Sequence, residues 1–167
     1  ARIARSIVLV IDYSFSQLPY ITTSIDAAKV LVDKLNPNDR MSVVTDDVKL
    51  IVEPTSDKAR LKSGLESLKT SALSGKVGRS RQYSSLMAVL NELLDKDGTR
   101  PIIIFQTDGD ELGTLICGKM CSSHGMPGEI GFSYDDLLKA AEREGATIYT
   151  VFSGVSFMGI SGKERLV

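Results

Sequence analysis

Two short apolar runs that each end in an acid, SIVLVID and PIIIFQTD, limit this chain more than any other feature. Neither run alternates apolar with polar residues, so each is expected to be covered on both faces. Their β-branched content marks them as strands. Strands buried on both faces belong to parallel sheets with helices on either side. In such sheets ligands bind beyond the carboxyl ends of the strands, where the strand order reverses. Asp12 and Asp108 stand at those ends.

The remainder alternates strand and helix. Ile21, Ile25, Ala28, Val32 and Leu35 recur at helical spacing over residues 17–35, where Pro19 is tolerable only in a first turn. Residues 41–45 and 48–52 read as two strands joined by a tight turn at Asp46 and Asp47. Ser56 is the expected cap of a helix bearing Leu61, Leu65 and Leu68 on one face. A loop containing Gly75 and Gly78 leads to a helix over residues 84–94. Residues 112–132 are Gly-rich and unpatterned, in the manner of a functional surface loop. Ser133 and Asp136 predict a capping box for a helix ending at Gly145, and residues 146–152 form a last strand. The expected fold is α/β: a doubly wound, mostly parallel sheet with one antiparallel edge strand and helices on both faces. The pattern fades after Phe152, so the fold is either incomplete at its C-terminus or completed by residues beyond it.

A chain of 167 residues suits a single domain spanning its whole length, and 43% hydrophobic with 25% charged residues suits a packed core. Twenty basic residues against 21 acidic ones leave a net charge of −1, without the basic face that nucleic acid requires. No apolar stretch approaches the roughly 20 residues of a membrane span. The first strand follows Ala1 so closely that no targeting peptide is expected within the chain. Cys117 and Cys121 share one loop; with His124 they make C-x3-C-x2-H, which lacks a fourth zinc ligand, so a disulfide or two free thiols is expected.

Asp12, Ser14 and Ser16 fall at every second position after the first strand. Taken alone they are also ordinary capping residues. Delivered by neighbouring strands about 4.8 Å apart, however, Asp12 and Asp108 would repel, and a divalent cation would balance them. Carboxylates and hydroxyls are hard oxygen donors suited to Mg²⁺, Mn²⁺ or Ca²⁺.

The segment DYSFS resembles the D-x-S-x-S pattern of the metal-ion-dependent adhesion site in von Willebrand factor A domains, and TDGDE resembles that family's T-D-G segment. The likeness runs from Ile7 to about Phe152 and is similar in cadence to the bacterial branch, including acidobacterial members. It implies the Rossmann-like fold of that family and metal ligands at Asp12, Ser14, Ser16, Ser80 and Asp108, with Ser80 in a position usually held by threonine. Asp110 and Glu111 are expected to lie outside the ligand set. Three features depart from the pattern: Phe15 where glycine is usual, Ser80 itself, and the flanking cations Arg79 and Arg81. The resemblance further implies a non-enzymatic adhesion module, Mg²⁺ as the first choice of ion, a protein partner presenting Asp or Glu, and an extracytoplasmic setting. Two rivals stand beside it. One is a Mg²⁺-dependent phosphotransferase-like hydrolase using Asp12 as nucleophile, although Ser14 occupies the position where such enzymes carry a second Asp. The other is a scaffold whose metal site has decayed.

Overall fold

The computed structural model describes residues 3–78, 80–94, 98–109 and 132–153. Five strands form one sheet: β1 (Arg5–Ile11), β2 (Arg40–Thr45), β3 (Lys49–Thr55), β4 (Arg100–Thr107) and β5 (Thr147–Phe152). Their order is β3-β2-β1-β4-β5, with β2–β3 antiparallel and the other pairs parallel. The strand order reverses between β2, β1 and β4, which makes the carboxyl ends of β1 and β4 the expected crevice. Ile11 lies opposite Gln106, so Asp12 and Asp108 leave adjacent strands side by side.

The helices among the described residues are α1 (Ile21–Asp33), α2 (Lys58–Leu73), α3 (Gln82–Ala88) and α4 (Tyr134–Glu144), and α3 runs on into a π-helical turn, Val89–Leu93. Side chains of β1 alternate between two cores. Ile7, Leu9 and Ile11 pack with Ile25 and Val32 of α1 and with Leu61, Leu65 and Leu68 of α2. Val8 and Val10 pack with Phe105 of β4, Leu86 and Leu90 on the α3 side, and Leu137 of α4. Burying each large aliphatic side chain supplies about 1.5–3 kcal/mol, so the centre of the sheet is its most firmly held part. That rigidity fixes where β1 and β4 deliver their terminal acids.

Local details depart from the sequence expectations for identifiable reasons. Helix α1 starts at Ile21, and residues 15–17 form a separate 3₁₀ turn, because Pro19 has no N–H with which to continue the ladder. Asp57, not Ser56, caps α2: its carboxylate accepts from the main-chain N–H groups of Ala59 and Arg60 at 2.9 and 3.1 Å. Val48 belongs to the turn and not to the strand. It sits at φ +63°, a strained region for a β-branched residue, with its N–H donating to Thr45 O at 3.0 Å. Edge strand β3 runs on to Thr55 and admits Pro54, as an edge strand can. Helix α3 begins at Gln82, two residues early. The capping box of Ser133 and Asp136, and the left-handed Gly145 that ends α4, are as expected. The long loop, Cys117, Cys121, His124, Asp110, Glu111, Arg79 and the segment after Ser153 lie outside the described residues.

Candidate metal centre

Four of the five expected ligands form one hydrogen-bonded chain. Asp12 Oδ1 accepts from the Ser14 N–H at 3.1 Å and from Ser14 Oγ at 2.6 Å. Ser14 Oγ lies 3.0 Å from Ser16 Oγ, which donates to Asp108 Oδ2 at 2.7 Å. The alternation after β1 therefore turns both hydroxyls back between the two strand-end acids, while Phe15 between them is 77% exposed. Asp12, Asp108 and Thr107 are buried, and Thr107 Oγ1 donates to Asp12 Oδ2 at 3.2 Å.

Ser80 stands apart from this chain. Its hydroxyl oxygen is buried without a hydrogen-bond partner among the described residues, as is Oδ2 of Asp46. The two groups are nonetheless near enough for Ser80 to ease the charge on Asp46. Arg81 is exposed, with its N–H donating to Asp46 O at 3.0 Å. The segment bearing Ser80 is also tied down by the Gly78 N–H, which donates to Tyr13 O at 2.9 Å. Gly78 is required there, since a Cβ would come within 2.6 Å of the Asp47 carboxyl group.

Asp46 is a participant as well as a turn residue. It is fully buried, and its Oδ1 accepts from the Tyr13 N–H at 2.7 Å. Burial, and then the charge of Asp12, push its carboxyl up to about 8. Asp12 is raised too, first by burial and further by Asp108, although the Ser14 hydroxyl works in the opposite direction. Asp12 is thus the common neighbour of two other acids. The signal for Asp46 was available, because MSVVTD is a third apolar strand ending in an acid. Two buried amides that no sequence motif marks also reach the acids: Gln82 Nε2 approaches Asp12 Oδ2 at 3.4 Å, and Gln17 Nε2 donates to Asp108 Oδ2 at 3.0 Å.

These donors fit a hard divalent cation. The charge of Asp108 raises the proton affinity of buried Asp12, and the charge of Asp12 raises that of buried Asp46, a crowding of acids that a cation would relieve. Among the described residues no group of three or more His, Cys, Asp or Glu side chains is arranged to hold a metal. Asp12 and Asp108, supplemented by the Ser14 and Ser16 hydroxyls, would instead offer such an ion hard oxygen donors.

A model of the von Willebrand factor type A domain matches residues 7–111. Among solved structures the chain is similar to the conserved hypothetical protein BatB from Bacteroides thetaiotaomicron, at 20% identity and TM-score 0.64, covering 89% of this chain and 66% of that one. It is also similar to proximal thread matrix protein 1 from the mussel byssus with a zinc-occupied MIDAS motif, at 19% identity and TM-score 0.63, covering 92% and 39% of the respective chains. A third likeness is to manganese-loaded TRAP protein from Plasmodium vivax, at 17% identity and TM-score 0.52, covering 92% and 59%. The chain spans less than two thirds of each of these proteins. No curated protein matches it.

Proposed function

Because the chain belongs to the von Willebrand factor type A domain family, we propose that it is a non-enzymatic, metal-assisted protein-interaction module. Asp12, Ser14, Ser16, Ser80 and Asp108 would hold a hard divalent cation, Mg²⁺ first and Mn²⁺ or Ca²⁺ as alternatives. The observation that carries the reading is the continuous contact Asp12–Ser14–Ser16–Asp108, which gathers two acids and two hydroxyls from two strand ends. Zinc and manganese in the similar structures lend support for a cation of this charge.

The ion would supply one strong directional bond to an Asp or Glu of a partner protein. The chain's own part is to gather the oxygens, keep them desolvated and frame the bond. Exposed Phe15 adds an apolar contact beside it, of the kind that anchors interfaces. The proposal extends to one domain over the whole chain and to an extracytoplasmic setting. Among the described residues no helix is long and apolar enough to cross a membrane.

Thermal melting in EDTA and in Mn²⁺ tests the reading. At about 100 times the dissociation constant, an ion bound only by the folded state adds about 2.7 kcal/mol, or roughly 5–10 °C for a domain of this size. Asp12→Ala is expected to abolish that rise. A wild-type melt indifferent to Mg²⁺, Mn²⁺ and Ca²⁺ would leave only a scaffold.

A further inference from the structure

Gln17 is 1% exposed, although glutamine is an expensive residue to bury. Its amide is saturated. Nε2 donates to Asp108 Oδ2 at 3.0 Å and to the Ser153 carbonyl at 3.1 Å. Oε1 accepts from Gln106 Nε2 at 3.1 Å and from Ser153 Oγ at 2.9 Å. Both N–H bonds and both lone pairs are therefore used. Turning the amide over would set its oxygen against the Asp108 carboxylate and face its NH₂ toward the Gln106 donor, so only one orientation is permitted. The partners sit on β4 and at the end of β5, and the Gln106 carbonyl also accepts from the Asp12 N–H at 2.9 Å.

This arrangement does more than fasten a turn. Asp108 Oδ2 is gripped from two sides, by the Ser16 hydroxyl at 2.7 Å and by the Gln17 amide. A charge-assisted bond from a locked, buried donor fixes the carboxylate before any ligand arrives. A methionine or leucine would fill the same space without that bond. We infer that Gln17 is a positioning residue, which sets the orientation of Asp108 for cation capture and is itself aimed by Gln106 and Ser153. The inference rests on the metal reading above and adds a residue that the D-x-S-x-S pattern does not contain. Groups that orient a ligand typically change metal affinity by roughly 10- to 100-fold when removed.

The test is Mn²⁺ titration calorimetry on wild type, Gln17→Met and Gln17→Glu, beside melting of each in EDTA. Both variants are expected to bind Mn²⁺ roughly 10- to 100-fold more weakly, the glutamate variant because a second acid replaces the donor. Gln17→Met binding within twofold of wild type would overturn the inference. So would a lowered metal-free melting point with unchanged affinity, since that pattern belongs to a residue that only holds the turn. A second measurement needs no metal: the Gln17 side-chain NH₂ resonances of the metal-free protein should move on Asp108→Asn. Unmoved resonances would refute the Gln17–Asp108 bond. A wild type that ignores Mn²⁺ while those resonances do move would instead refute the metal reading alone.

Discussion

Asp39, at the end of the sheet opposite the candidate site, gives the sharpest test of how this fold is held. Its side chain is 2% exposed and lies just before β2. Oδ1 accepts from the Arg5 N–H at 3.1 Å, while Oδ2 accepts from Arg5 Nε at 3.0 Å, from Arg5 Nη2, and from Asn36 N and Nδ2 at 2.8 and 2.9 Å. One carboxylate therefore joins the first residue of β1 to the turn after α1. Asp39→Asn preserves the shape but turns one acceptor oxygen into a donor that must face N–H groups. Breaking a buried ion pair costs about 3–5 kcal/mol when the partner is stranded. The Arg5 side chain is 27% exposed and can rehydrate, so the lower end applies, about 3 kcal/mol. For a domain of this size that is a fall of roughly 6–12 °C in Tm.

The pH dependence has a definite sign. The Arg5 guanidinium, aided by the Asn36 N–H, holds the Asp39 carboxyl well below the usual carboxylate range. A depressed folded pKa stabilises fully above the unfolded value of about 3.9 and is lost as pH falls through the folded one. In urea titrations at equal m-value, the gap between wild type and Asp39→Asn should stay flat from about pH 5 to 8 and narrow below about pH 4. A gap under about 1 kcal/mol at pH 7, or one that persists undiminished in strong acid, would refute this account.

Other predictions follow from single contacts. Gly78→Ala must displace either the Asp47 carboxyl or the segment carrying Ser80, at an overpacking cost of about 1–3 kcal/mol. Melting should fall accordingly, and Mn²⁺ affinity with it; an unchanged melting point would mean that this contact relaxes freely. Asp57→Ala should cost about 1 kcal/mol through loss of the α2 cap, whereas Ser56→Ala should be within about 0.5 kcal/mol of neutral. Comparative urea midpoints decide between the two residues. Leu65→Ala, at a fully buried position on α2, should cost about 2–5 kcal/mol, measured the same way.

Much of this architecture is legible because its signals are local. Two apolar runs without alternation require burial on both faces, and alternation of strand with helix then leaves few topologies. Residues that depend on tertiary placement are harder to read. Asp46 looks like a turn residue and is one, yet the return of β2 beside β1 also buries it against Asp12. Ser56 and Asp57 are both good caps by type, and only the path of the chain out of β3 selects the second. Gln17 and Gln106 read as unremarkable polar residues, because their partners are 91 and 47 positions away. Family register alone points to Ser80, and spacing along the chain does not reveal its place beside Asp46.

The central claim is that the ends of β1 and β4 share one cation between Asp12 and Asp108. Diffraction at the manganese edge from crystals grown with Mn²⁺ tests it most directly. The account predicts a single anomalous peak bounded by Asp12, Ser14, Ser16 and Asp108, absent from Asp12→Ala crystals. Manganese bound elsewhere, or no peak between those two carboxylates at saturating Mn²⁺, would contradict it.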